Sequence, residues 1–189
     1  MSVTKSIAEK YLVRAGHEWT FIYLDDAAKT ISITGSLGEY GYSWNSIGTT
    51  FKRFLIGLDN GYLTGKLCPG EIYNPRKAIE SVKKIITKRR KEDPEFTKEQ
   101  ARAAMDALKD ITEDVNSSDI FQDRIINDDD LSWIYTQEYH YDIDCMETPP
   151  QFVTFLKRIW PEFIGFLKGE LEVPGGGPAA QGGSAVGGP

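Results

Sequence analysis

Three short segments between residues 18 and 45 alternate apolar with polar side chains, and this pattern constrains the fold more than any other feature of the chain. The segments are Glu18–Leu24, Thr30–Thr34 and Glu39–Asn45. Turn-prone aspartates and glycines separate them, which is typical of antiparallel hairpins. Tyr40, Tyr42 and Trp44 share one face of the third segment, where they either join the core, the more common outcome, or anchor a partner. The sequence therefore predicts a three-stranded antiparallel meander that packs one face against helices.

The stretch before the meander does not point to one structure. Ile7, Tyr11 and Leu12 fit a short helix within Thr4–Ala15. Tyr11, Leu12 and Val13 also fit the start of a strand. Both alternatives stay open on the sequence.

The remainder of the chain follows the spacing of amphipathic helices. The predicted helices begin near Thr49, at Asn74 with Pro75, at the capping-box residues Thr97–Gln100, within 117–135, and after Pro149 with Pro150. Asn127–Asp130 is expected to interrupt the fourth helix, and Pro161 is expected to break or kink the last. About five helices with the meander make the fold class α+β.

Length and composition indicate one folded domain with an extension. Residues 1–172 are predicted to form a single α+β domain, because a chain of this length normally builds one core. From Pro174 to Pro189 the chain is rich in glycine and proline and lacks any large side chain. We therefore predict a disordered tail over residues 173–189.

Neither membrane insertion nor secretion is expected. No apolar run approaches the roughly 18 residues that cross a bilayer, and residues 1–20 lack the basic-then-apolar layout of a secretion signal. Cys68 and Cys145 lie far apart and outside a Cys-x-x-Cys spacing, which argues against a disulfide framework or a zinc site. We expect a cytoplasmic protein with no cofactor and no membrane partner.

Charge is spread unevenly along the chain, whose formal net charge is −6. Residues 76–91 carry eight basic residues against Glu80, a net of +7. Residues 92–147 carry seventeen acidic residues against four basic ones, a net of −13. Two adjoining segments therefore carry opposite fields, although the overall sign argues against a general nucleic-acid binder.

The basic cluster in the long helix is the main candidate for partner binding. Its members are Lys83, Lys84, Lys88, Arg89, Arg90 and Lys91. Cations near the end of a helix are favoured by the helix dipole, so helix stability alone accounts for the cluster in one interpretation. In the other interpretation the cluster binds phosphates or acidic groups, and nearby acidic helices partly neutralise it.

One segment carries residue types suited to a divalent metal. If residues 138–145 are extended, the side chains of four residues project to the same side: Glu138, His140, Asp142 and Asp144. The simpler interpretation is a half-exposed strand with its polar side in water. His17 is the other histidine of the sequence, so one chain cannot build a multi-histidine site.

Several motifs together give the chain a family resemblance. They are Ile31–Trp44, Gly48, Phe51–Leu55, Tyr62–Lys66, the helix end at Arg89 and Arg90, and Ile159–Phe163. In these motifs, from Thr20 to Leu171, the chain resembles a family of small proteins encoded by tailed bacteriophages and prophages. The resemblance implies a phage accessory protein that acts in the bacterial cytoplasm, and it assigns no functional residue. The Gly/Pro tail departs from the family pattern.

The leading hypothesis is a non-enzymatic phage accessory protein that binds a host or phage macromolecule, with a protein as the expected partner. Such binding would inhibit a host defence or modulate phage replication. One alternative is a nucleic-acid-binding protein that uses the basic helix end. The other is a metal-dependent hydrolase or nuclease built on the carboxylates and imidazole of residues 138–144. No catalytic residue and no oligomeric state are assigned.

Overall fold

The computed structural model describes residues 3, 5–111, 115–136 and 142–172. The chain forms two compact units, one made of Met1–Pro69 with Pro150–Pro189 and the other of Gly70–Pro149. Each unit has its own hydrophobic core. The predicted disordered tail, residues 173–189, lies outside the described residues, and a single domain over residues 1–172 stays a prediction.

The first unit contains an antiparallel sheet of four strands in sequential order. The strands are β1 (Glu9–Ala15), β2 (Glu18–Asp25), β3 (Thr30–Gly35) and β4 (Gly38–Ser43). The α+β class is confirmed, but the prediction of three strands is wrong, because Glu9–Ala15, within the stretch left open on the sequence, pairs with β2 as a fourth strand. Tyr11, Val13 and Ala15 alternate toward the core, and this packing favours a strand over a helix.

Three helices share a core with the inner face of this sheet. They are α1 (Phe51–Ile56), α2 (Asn60–Leu67) and α6 (residues 150–172). The ring of Tyr40 lies 4.9 Å from that of Phe152 and 5.3 Å from that of Phe155, and Trp44 is only 6% exposed. The aromatic face of the third predicted strand therefore packs against the core, which is the first of the two outcomes that the sequence left open.

Helix α6 continues through Pro161, where a break or kink was expected. It is α-helical over Pro150–Thr154, π-helical over Phe155–Ile159 and α-helical again over Trp160–Glu172. Proline has no N–H to donate one turn back, and the preceding residue, Trp160, donates instead to the Phe155 carbonyl five residues back. The wider turn accommodates the proline without ending the helix.

The second unit contains three helices, a 3-10 turn and a two-stranded ladder. They are α3 (Pro75–Glu92), α4 (Lys98–Ile111), α5 (Ser118–Ile126), the turn Ser132–Ile134, and strands β5 (Ile72–Tyr73) and β6 (Met146–Glu147). The predicted caps are confirmed, since Asn74 accepts a hydrogen bond from the Lys77 N–H at 3.1 Å, and Thr97 and Gln100 bond each other at 3.2 and 2.7 Å. Six helices thus lie within the described ranges, against about five expected.

Helices α3 and α4 bury narrow apolar sides and expose charged ones. The buried residues are Ala78, Val82, Ile85 and Ile86 on α3, and Ala104, Leu108 and Ile111 on α4. The packing of α3 and α4 decides which of their cations can meet a partner.

In the part of the chain that the structure describes, none of the helices has the length and apolar character needed to cross a membrane.

Candidate functional site

A groove of about 520 Å³ between α3 and α4 is lined by five cationic side chains. They are Arg90 and Lys91 from the last turn of α3, and Lys98, Arg102 and Lys109 from α4. The three α4 positions are four and seven residues apart, and the helical repeat therefore places them on one side of the helix. All five residues are exposed.

The base of this groove is apolar. Ile86 is fully buried, and Ala101 and Met105 are half-buried. Long basic side chains can lay their methylene groups on such a base while their charged ends remain in water. The groove thus combines charged walls with an apolar base.

The electrostatics of the groove favour an anion. Among the groove's described lining residues, Asp106 is the one acidic side chain, and its carboxylate lies 2.7 Å from Lys109 Nζ. This hydrogen bond lowers the pKa of Asp106, so the carboxylate is ionised at neutral pH and the lining carries five positive charges against one negative. Like charges held close together repel, and a bound anion would relieve that repulsion.

Helix α4 also borders a groove of opposite sign. This second groove, of about 620 Å³, is lined by Arg124 and by five aspartates: Asp106, Asp110, Asp123, Asp128 and Asp130. Charges of both signs therefore lie on α4, whose sequence falls within the acidic segment. The sequence predicted opposite electrostatic fields for residues 76–91 and 92–147. In the fold, basic side chains of the acidic segment line the same groove as basic side chains of α3.

The six predicted partner-binding residues do not all lie on the same surface. Lys83, Lys84, Lys88 and Lys91 line a groove of about 450 Å³ along α3, together with Thr87 and Glu92. Arg90 and Lys91 face α4 in the groove described above. Because Lys91 lines both grooves, the cations of the two grooves form one continuous surface, which we call the basic surface. Its members are Lys83, Lys84, Lys88, Arg90 and Lys91 of α3 and Lys98, Arg102 and Lys109 of α4.

Arg89 is held within the fold. Its Nε lies 3.2 Å from Asp93 Oδ2, and its guanidinium carbon lies 4.5 Å from the ring centroid of Phe96 and 4.3 Å from that of Trp133. The side chain is 16% exposed. These contacts give Arg89 a structural role at the end of α3.

We expect Arg89→Ala to lower the free energy of unfolding by about 1–2 kcal/mol, because it removes both the ion pair and two cation–π contacts. Urea denaturation followed by circular dichroism measures this change. Lys88→Ala, an exposed neighbour on the same helix, serves as the control and should stay within about 0.5 kcal/mol of the wild type. Equal effects of the two substitutions would show that Arg89 is not structural.

The structure brings no metal-binding set together within its described ranges. Glu138 and His140 lie outside the described residues, and Asp142 is exposed. Asp144 pairs with Lys77 Nζ at 2.7 Å, and this contact raises the pKa of Lys77. No group of three or more His, Cys, Asp or Glu side chains among the described residues is placed to hold a metal ion. The metal hypothesis stays a prediction.

The sequence interpretation missed the contribution of α4 to the basic surface. Lys98, Arg102 and Lys109 lie in a segment of net charge −13, so a count by segment hides them. The signal that identifies them is their spacing, which places all three on one side of a helix. That spacing becomes informative once α3 is known to pack beside α4.

Comparison with known proteins gives one result. A family model described as "Phage family" matches residues 1–168, which include every described residue of the basic surface. No curated protein and no solved structure matches the chain.

Proposed function

The chain belongs to this phage family, and from that premise we propose that it is a phage accessory protein that acts by binding a macromolecule in the cytoplasm of the host. The macromolecule is nucleic acid, held by its phosphates on the basic surface of α3 and α4. The binding inhibits a host defence or modulates phage replication.

The observation that supports this proposal most is the concentration of cations around one groove in a chain of net charge −6. Contacts from lysine and arginine to phosphates supply nearly all of the affinity in non-specific nucleic-acid binding. Arg90 and Arg102 also offer planar guanidinium groups, which can hold a phosphate through two N–H donors.

The basic surface is long enough to follow a nucleic-acid backbone. From Lys83 to Lys91 the helix rises about 12 Å, at 1.5 Å per residue. A strand of duplex DNA advances about 3.4 Å per phosphate, so this length spans three to four phosphates. Lys91 then connects the α3 groove to the groove between α3 and α4.

A protein partner is the second candidate, as the leading sequence hypothesis expected. Protein interfaces are typically centred on buried aromatic and aliphatic anchors, with charges at the rim. On the basic surface most exposed groups are cations, and the apolar residues form the base of a groove. This arrangement fits a chain of phosphates better than a protein surface.

The test measures binding of labelled single-stranded DNA, duplex DNA and RNA by fluorescence anisotropy between 50 and 200 mM salt. We expect affinity to fall steeply with salt, because each phosphate contact releases counterions. The double charge reversal Arg90→Glu with Arg102→Glu should weaken binding by about tenfold or more at the lower salt concentration.

The matched control reverses two exposed cations of the other unit, with Lys157→Glu and Arg158→Glu. The overall charge change is the same, so affinity should stay within about twofold if the α3–α4 surface is the site. Equal losses in both variants, or binding that salt does not change, would contradict the assignment. Wild-type protein that binds no nucleic acid but recovers a specific protein from infected cells would favour the second candidate.

A further inference from the structure

The outer face of the sheet exposes an aromatic stripe along β2. Trp19, Phe21 and Tyr23 alternate with residues of the core, so their rings lie on the opposite side of the sheet. Trp19 is 40% exposed, and Phe21 and Tyr23 are half-buried. Ring centroids are 5.5 Å apart between Trp19 and Phe21 and 6.4 Å apart between Phe21 and Tyr23. We call these three residues the outer aromatic stripe.

Cations of β1 border one side of the outer aromatic stripe. Arg14 pairs in register with Trp19, and Lys10 pairs with Tyr23. The Lys10 Nζ lies 4.1 Å from the Phe21 ring centroid and 5.6 Å from that of Tyr23. Lys10 therefore places a positive charge over the Phe21 ring, and Arg14 is the neighbour of Trp19 on the adjacent strand.

Hydroxyl groups border the other side of the stripe. Thr34 and Ser32 of β3 pair in register with Phe21 and Tyr23, and their side chains share the outer face. The acids on this face lie near strand ends and accept hydrogen bonds within the protein. Asp25 accepts from Ser6 Oγ at 2.7 Å and from the Ala28 N–H at 2.9 Å, and Glu39 accepts from Thr34 Oγ1 at 3.3 Å.

We infer that the outer aromatic stripe binds unpaired bases of single-stranded nucleic acid. Exposed aromatic rings stack on bases that are not paired, and adjacent cations contact the phosphates between them. Lys10 and Arg14 supply the charge complementarity, and the hydroxyls of Ser32 and Thr34 can bond base edges. This inference rests on the proposed function, since it specifies which form of nucleic acid the protein prefers.

The chemistry of the outer face fits bases better than a protein or a second copy of this chain. A protein hot spot is a desolvated aromatic or aliphatic anchor surrounded by contacts that exclude water. Here Leu12 of β1, which is 46% exposed, pairs with Phe21, so the apolar strip is only as wide as two strands. Exposed Lys10, Arg14 and Ser32 border it, and such polar groups do not form a border that excludes water. Duplex DNA is also a poor fit, because its bases are stacked on each other and inaccessible to the rings.

Tryptophan fluorescence reports directly on the stripe. Trp44 and Trp160 are buried and Trp133 is half-buried, so the most accessible emission comes from Trp19, which is 40% exposed. We expect oligo-dT to quench this emission, and Trp19→Thr should abolish most of the quenching. The Arg90→Glu, Arg102→Glu variant should still show quenching at saturating oligo-dT, because its stripe is intact.

A second measurement compares affinities for single-stranded and duplex DNA. The variant Trp19→Thr with Tyr23→Thr keeps strand-forming residues and should lower the single-strand to duplex preference by about fivefold or more, with an unchanged salt slope. Phe166→Ala removes an exposed aromatic elsewhere in the same unit and should leave the preference within twofold. Melting curves check that each variant is folded. If the double variant is unstable, the comparison is made with Trp19→Thr alone, which changes the most exposed position of the stripe.

Each outcome separates this inference from the proposed function. DNA binding with an unchanged single-strand preference in the stripe variants would overturn the inference and leave the proposed function standing. Loss of self-association in the stripe variants, with DNA binding unchanged, would assign the face to a second copy and also overturn it. Wild-type protein that binds no nucleic acid at all would overturn both.

Discussion

A Gly35→Ala variant is expected to lose about 3 kcal/mol or more of its free energy of unfolding. A methyl group on Gly35 would lie 2.3 Å from the carbonyl oxygen of Trp19 and 2.7 Å from Thr20 Cα. Both are backbone atoms of the paired strand, so no side-chain rotation relieves the overlap, and β2 and β3 must separate. Gly35 pairs in register with Thr20, next to the outer aromatic stripe. Urea denaturation measures the loss.

The control for this variant is Gly65→Ala on α2. Gly65 is exposed within a helix, and a methyl group there meets no atom within 4 Å. Alanine is the better helix former, so this substitution should raise the free energy of unfolding by about 0.5–1 kcal/mol. The same substitution is thus expected to lower the free energy of unfolding at Gly35 and to raise it at Gly65. A Gly35→Ala protein as stable as the wild type would show that the strands do not approach this closely.

Local patterns predicted most of the fold. The alternation in Glu18–Leu24 and Thr30–Thr34 places Ile22, Leu24 and Ile31 in the core, because side chains alternate between the two faces of a strand. The starts of α3 and α4 were equally accessible, since Asn74 and the Thr97–Gln100 pair bond N–H groups that every helix leaves unpaired.

The features that escaped prediction depend on distant residues. The strand at Glu9–Ala15 pairs with β2 and packs Tyr11 against Phe163 of α6, with ring centroids 5.3 Å apart, and no pattern within the segment contains those contacts. The continuity of α6 through Pro161 depends on core packing of Trp160 and Phe163, which holds the helix together where propensity alone would end it.

The candidate sites differ in how far the sequence could reveal them. The basic run of α3 was visible, but the role of Arg89 was not, because its partners Phe96 and Trp133 lie beyond the helix. The aromatic face assigned to β4 is core, whereas the exposed aromatic face belongs to β2. Both strands carry aromatics at alternate positions, so only the side on which helices pack separates core from surface.

Phe155→Ala is expected to lower the free energy of unfolding by about 3–5 kcal/mol, as truncation of a buried phenylalanine leaves a cavity. Phe155 is fully buried, and its ring lies 5.3 Å from Tyr40, 5.9 Å from Phe152 and 6.1 Å from Trp160. It also begins the π-helical stretch. Denaturant titration measures the loss. Hydrogen exchange in the same variant also tests the prediction of a single domain. If the chain unfolds as one domain, the amide protection of α3 and α4 must fall as well.

The control for Phe155→Ala lies on the same helix. Phe166 is 58% exposed, so Phe166→Ala removes the same atoms with little cavity and should cost less than about 1 kcal/mol. The difference between the two variants isolates burial from helix propensity, because alanine replaces phenylalanine in both. If the two losses were equal, Phe155 would not be packed in the core that joins α6 to the sheet, and the continuous helix through Pro161 would need another cause.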